Sequence, residues 1–115
     1  MKADDTILTP SPSGDALLAA LSALSNPHRL RILGALSEGR EYVSRLARRM
    51  ELSRPLLHMH LQRLEAAGLV SGTLELSEEG KAMKYYEVTA FALELTPAAI
   101  AAAARTLTDR KEVEG

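Results

Sequence analysis

Between Asn26 and Gly68 the sequence has room for three short helices and almost nothing else. Asn26-Pro27 places a side-chain acceptor at an N-cap and a proline at the first helical position, where its missing N–H costs nothing. The helix behind it, HRLRILGALSEG, is expected to turn Leu30, Leu33 and Leu36 inward and to end at Gly39 in the left-handed conformation. A second segment, from about Val43 to Met50, spaces Val43, Leu46, Ala47 and Met50 for one buried face. Ser44, Arg45, Arg48 and Arg49 fall on its other side. Glu51-Leu52 leaves only a tight turn before Ser53, the N-cap of a helix over 53–67. Pro55 sits in its first turn, Leu57, Leu61 and Leu64 form the inward stripe, and Gly68 stops it.

The flanks complete one domain. GDALLAALSAL, over 14–24, is a helix apolar on nearly every face and so expected to be buried on several sides. After Gly68 the period shifts from 3.6 towards 2: residues 69–76 and 83–88 read as strands, with the turn glycine Gly80 in SEEGKA between them. Thr96-Pro97 caps an Ala-rich last helix, AAIAAAARTLTDR, carrying Ile100 and Leu107. Residues 1–13, with Pro10 and Pro12, read as a flexible arm, and 111–115 as a tail. With three Tyr, one Phe and no Trp, the core must come from Leu, Ala, Val and Ile, which suits packed helices. No cysteine is present, so disulfides and thiolate metal sites are excluded. The start has no apolar run after a basic one, and no stretch reaches the length of a membrane span. A cytoplasmic protein without a membrane partner is expected. The fold class that follows is mainly α with a small β-hairpin, in the order α-α-α-α-β-β-α: a winged helix-turn-helix over 14–110, its wing at 69–89.

Charge is unevenly spread. Residues 28–63 hold eight Arg against three acids, while the remaining chain holds six basic and twelve acidic residues. A basic segment on a helix-turn-helix points to double-stranded DNA. On the 53–67 helix Pro55, His58, Met59 and Gln62 face away from the leucine stripe, and Arg54 stands at the helix start where the N-terminus enters the groove; these five are the candidates for base contact. Gln62 can pair with adenine, and Arg54 with guanine or a phosphate. Ser44, Arg45, Arg48, Arg49, Ser53, His60, Arg63 and the wing residues Lys81 and Lys84 are the candidates for phosphate contact. Glu75, Glu78 and Glu79 make the wing unusually acidic; it either touches DNA through its lysines alone or covers the core with Leu74, Leu76 and Tyr85. No Ser-His-Asp group, phosphate loop or carboxylate pair can be assembled, so an enzyme is not expected.

Three blocks in order carry a resemblance: LSNPHRLRIL over 24–33, SRPLLHMHL over 53–61 and LEAAGLV over 64–70. Together, and with their spacing, they resemble the ArsR/SmtB family of regulators over roughly residues 16–90. The resemblance implies a homodimer held by the first and last helices (14–25 and 96–110) on a palindromic operator. Leu17, Leu18, Leu21 and Leu24 with Ile100, Ala103 and Leu107 are the corresponding interface candidates, and they would leave much apolar surface exposed in a monomer. The resemblance also implies a metal-sensing site, and here the chain departs from the pattern. Where family members carry a Cys-x-Cys pair, residues 41–46 offer no thiolate, and the last helix offers no His. Only His28, His58 and His60 remain as donors for weak nickel or zinc binding. His58 and His60 lie about 200° apart around a helix and cannot chelate one ion together. No cofactor is expected. An alternative reading is a co-regulator that binds a protein partner, which the acidic wing favours.

Overall fold

The computed structural model describes residues 12–108. Its elements run α1 (Gly14–Leu24), α2 (Pro27–Leu36), β1 (Glu41–Tyr42), α3 (Val43–Met50), α4 (Arg54–Ala66), β2 (Val70–Leu76), β3 (Ala82–Val88) and α5 (Pro97–Ala104). The described residues divide into two compact units, one of residues 20–92 and one of residues 12–19 and 93–108. The arm expected over 1–13 lies outside the described residues except for Pro12 and Ser13, as does the tail over 111–115.

In the larger unit local sequence fixes the helix ends. The Asn26 side chain accepts from the backbone N–H of His28 and of Arg29, and the Ser53 side chain from that of Leu56, each worth about 1 kcal/mol. Glu51 adopts φ 57° to close the turn between α3 and α4, and Leu52 donates to the Ala47 carbonyl at 3.0 Å. Gly68, at φ 78°, turns the chain out of α4 in a conformation that a side chain would strain. Against these helices packs an antiparallel sheet in the order β1-β3-β2. Glu41 and Tyr42 pair with Tyr86 and Tyr85, and the hairpin register runs from Val70↔Val88 to Leu76↔Ala82. The core is Ala20, Ala23, Ile32, Ala35, Leu36, Leu46, Ala47, Leu57, Leu61, Leu64, Leu69, Val70 and Tyr86, mostly aliphatic as the composition requires.

The winged helix-turn-helix is therefore present, with a third strand added to the expected hairpin. Four details differ from expectation. Leu30 is exposed; the inward register of α2 is Arg29, Ile32, Ala35 and Leu36, because Arg29 finds polar partners inside. That helix stops at Leu36, before Gly39, whose φ of 145° is positive but outside the left-handed helical region. Leu74 and Leu76 are 67% and 73% exposed and cover nothing, since the hairpin extends past the core; the buried wing tyrosine is Tyr86, not Tyr85. Finally, α1 buries only a stripe (Gly14, Leu17, Ala20 and Ala23) and leaves Leu18 exposed.

In the smaller unit the start of α1 meets the end of α5. The Gly14 N–H donates to Thr106 Oγ1 at 2.7 Å, and Thr108 donates through both its N–H and its hydroxyl to the Asp15 carboxylate. Thr96 caps α5 by accepting from the Ala99 N–H, as expected. The helix is shorter than 96–110, however: it ends at Ala104, with Arg105 as C-cap, and 109–110 lie outside the described residues. Leu17 and Ala103 are already buried within the chain, whereas Leu18, Ile100 and Leu107 are exposed. Among the described residues no helix is long and apolar enough to cross a membrane.

Candidate nucleic-acid interface

Helix α4 is anchored by Leu57, Leu61 and Leu64, all fully buried, so its opposite side is set by geometry. That side holds Pro55, His58, Met59 and Gln62, and Arg54 stands at the helix start; all five are exposed. Met59 at 44% and Leu56 at 41% exposure present apolar surface on a helix whose inner face is already satisfied. Leu56 was not among the sequence candidates. Its position three residues before Met59 was the available signal.

Beside α4 lies an open cleft of about 590 Å³, walled by the start of α3, the first half of α4 and the wing. Ser44 and Arg48 of α3, Arg54 and His58 of α4, and Lys81 and Lys84 of the wing all line it. Residues up to 40 positions apart in sequence are thereby gathered on one concave surface. None of Arg48, Arg54, Lys81 and Lys84 has a carboxylate within ion-pair distance among the described residues, although Glu79 also lines the cleft. The Lys84 ammonium lies 5.7 Å from the centre of the Tyr86 ring. A Cβ at Gly72 would fall 2.9 Å from that ring, so the glycine admits the tyrosine. Burial, followed by the neighbouring Glu65 carboxylate, pushes the Tyr86 phenol up.

The other sequence candidates lie elsewhere. Arg49 is tied to Glu38 at 3.0 Å and to Glu41 at 3.7 Å, and Arg45 approaches Glu41 at 3.8 Å. Ser53 is occupied as a cap, and Arg63 is exposed at the far end of α4. His60 is only 4% exposed, so the structure corrects its assignment to a phosphate. Its Nδ1 accepts from the Arg29 guanidinium at 3.1 Å, which leaves the ring proton on Nε2. Burial first, then Arg29, His28 and Arg63, lowers the pKa of the His60 imidazole below its ordinary 6.5. His28 stacks near it with ring centres 5.4 Å apart, while His58 lines the cleft. Among the described residues no three His, Asp or Glu side chains gather as a metal site.

Two features were missed in the sequence. Arg29, counted there with the DNA-facing charge, is buried at 8% exposure. Arg40 grips Glu75 through both guanidinium nitrogens and lies 4.0 Å over the Tyr85 ring. This contact holds the Glu75 carboxyl below its ordinary value and neutralises one of the three wing acids.

The sequence profile described as "Bacterial regulatory protein, arsR family" matches residues 26–71, the stretch from the N-cap of α2 into β2. An uncharacterized HTH-type transcriptional regulator of Methanocaldococcus jannaschii is 42% identical over 69 residues, covering 60% of this chain and 72% of that protein. The chain belongs to the ArsR family. Among solved structures it is similar to a homodimeric winged helix-turn-helix DNA-binding domain from Mycobacterium bovis, a possible ArsR-family transcriptional regulator. That domain aligns with a TM-score of 0.56 and 28% identity over 64% of each chain. It is also similar to NolR from Sinorhizobium fredii, with a TM-score of 0.55 and 29% identity over 76% of each chain. This ArsR-family chain is accordingly a transcriptional regulator with a DNA-binding winged helix-turn-helix, and its family and fold are not those of an enzyme.

Proposed function

We propose that the chain binds a palindromic operator as a homodimer, with the exposed face of α4 reading bases and the cleft beside it holding phosphates. The observation that carries this reading is the meeting of Arg48, Arg54, Lys81 and Lys84 beside the α4 face. Cations on a concave surface attract the DNA backbone whatever its sequence, and the helix beside them then meets the base edges. Arg54 and Gln62 supply hydrogen bonds for guanine and adenine, while Pro55 and Met59 offer apolar contact to thymine methyl groups. His58, on the cleft side of the same helix, joins them. Ser44 offers a hydroxyl to a phosphate, whereas Arg45 and Arg49, already paired with acids, and Ser53, already a cap, stay outside the phosphate contacts.

Dimerisation is supported by the exposed Leu18, Ile100 and Leu107 and by the homodimeric state of the M. bovis domain. Leu21 and Leu24 are half-buried in the chain. Two recognition helices would then meet successive major grooves about 34 Å apart. With no cysteine in the chain, the regulatory signal is not sensed through a thiolate metal site.

Selection of duplexes from a random pool by the purified chain tests the reading. The expected product is an inverted repeat with half-site centres about one helical turn apart. Failure to enrich any duplex at low salt removes the DNA-reading function. The exposed Leu74 and Leu76 beside Glu78 and Glu79 favour a second reading, a co-regulator that docks a protein on the wing. It gains ground if no duplex is enriched.

A further inference from the structure

Arg29 is the one buried arginine among the described residues, and no carboxylate faces it. Its Nε donates to the Ala23 carbonyl near the end of α1 at 2.6 Å, and its Nη1 donates to His60 Nδ1 on α4 at 3.1 Å. Both partners are neutral acceptors. The side chain therefore spans three helices, from its own α2 to the end of α1 and the inner side of α4. His60 lies on the side of α4 opposite the exposed Pro55, Met59 and Gln62.

Taking a guanidinium out of water without an anion is costly, and stability alone would be served as well by an apolar side chain of similar volume. What the arginine adds is direction. Its planar fork fixes two acceptors in one plane, whereas aliphatic packing of α4 through Leu57, Leu61 and Leu64 tolerates small rotations about the helix axis. The groups around His60 are Arg29 and His28 from α2 and Arg63 from its own helix, so only the Arg29 hydrogen bond holds the ring in one orientation.

We infer that the Arg29–His60 hydrogen bond sets the rotation of α4 about its axis, making Arg29 a positioning residue for base readout though it touches no DNA. The inference rests on the DNA-reading function proposed above. Loss of the bond spares the cleft cations, so phosphate binding persists while base contacts lose alignment.

The test uses the full chain and a duplex that the unmodified chain has selected from a random pool, with an unrelated duplex as control. Arg29→Met removes the cation and both hydrogen bonds at similar volume. It is expected to remain folded by circular dichroism and to bind the selected duplex about tenfold or more weakly, the equivalent of one lost base contact per half-site. Affinity for the unrelated duplex and the salt slope should be unchanged. His60→Leu should behave in the same way. His60→Asn, whose Oδ1 can accept from Arg29, should recover affinity to within about threefold of the unmodified chain. If Arg29→Met and His60→Leu do not fold, Arg29→Lys takes their place, a cation that cannot span both acceptors and should lose selected-duplex affinity alone. Equal affinity of every folded variant for the selected duplex overturns the inference, as does equal loss on both duplexes. If the unmodified chain selects no duplex, the DNA-reading function has failed first, and this inference goes with it.

Discussion

Removing one cleft cation should change how DNA binding responds to salt by a predictable amount. The cleft offers Arg48, Arg54, Lys81 and Lys84, each free of a carboxylate partner among the described residues. If each neutralises one phosphate, a dimer releases about eight counterions, and log K should fall with log salt at a slope of roughly −7. Between 50 and 200 mM salt the affinity then drops by about four orders of magnitude. Arg48→Ala deletes one contact per protomer, two per dimer, and should flatten the slope by about 1.8. At 0.15 M the same loss is about thirtyfold in affinity, or about 2 kcal/mol. Fluorescence anisotropy of a labelled duplex, titrated at several potassium chloride concentrations, measures both quantities. Arg49→Ala provides the contrast, because Glu38 and Glu41 already hold that guanidinium; its effect should stay below about threefold. If Arg48→Ala leaves the slope unchanged while Arg49→Ala flattens it, the phosphate path runs over the outer face of α3 and the cleft assignment is wrong.

Two further outcomes follow from the packing and the buried imidazole. Alanine at two helical glycines should have opposite effects on the melting temperature. A Cβ at Gly34 meets nothing within 4 Å, so Gly34→Ala should add about 0.5–1 kcal/mol. A Cβ at Gly14 would lie 2.3 Å from the Ala103 carbonyl oxygen, so Gly14→Ala should cost about 1–3 kcal/mol by forcing α1 and α5 apart. Shifts of the same sign would contradict the α1–α5 approach. The pKa of His60 is held below the ordinary 6.5 in the folded chain, so as pH falls through 6.5 the unfolded chain binds a proton that the folded chain refuses. Stability from this group is therefore complete above about 6.5 and is lost on acidification below it. Urea midpoints at pH 7.5 and 5.5 should show that loss, and His60→Asn should reduce it; an unchanged difference in the variant would assign the effect to other groups.

Much of the fold was legible because the helix ends are written in local chemistry. Asn26-Pro27, Ser53 and Thr96 each need only a neighbouring backbone N–H to act, so the sequence shows them directly. What depends on distant chain was not legible. The two-residue strand β1 exists only because Tyr42 meets Tyr85, and no local period marks it. Leu30 and Ile32 fit two rival inward registers of α2. The choice was made by Arg29, a charged residue that patterning places outside but that finds Ala23 and His60 inside. In the wing the change of period marked both strands, but nothing local showed that Val70 is buried while Leu74 and Leu76 stay exposed. The α4 face was readable from the leucine stripe alone. The cleft was not, since Arg48 and Lys84 are joined only when the hairpin folds back beside α3 and α4.

The central claim, that the exposed face of α4 and the adjoining cleft form the DNA-reading surface, is tested most directly by amide NMR shifts on titrating a selected duplex into the labelled chain. The expected result is that the largest changes fall at Ser44, Arg48, residues 54–62, Lys81 and Lys84, with residues 97–104 unmoved. Changes confined to Leu74, Leu76 and the acidic wing tip, with α4 silent, would contradict it.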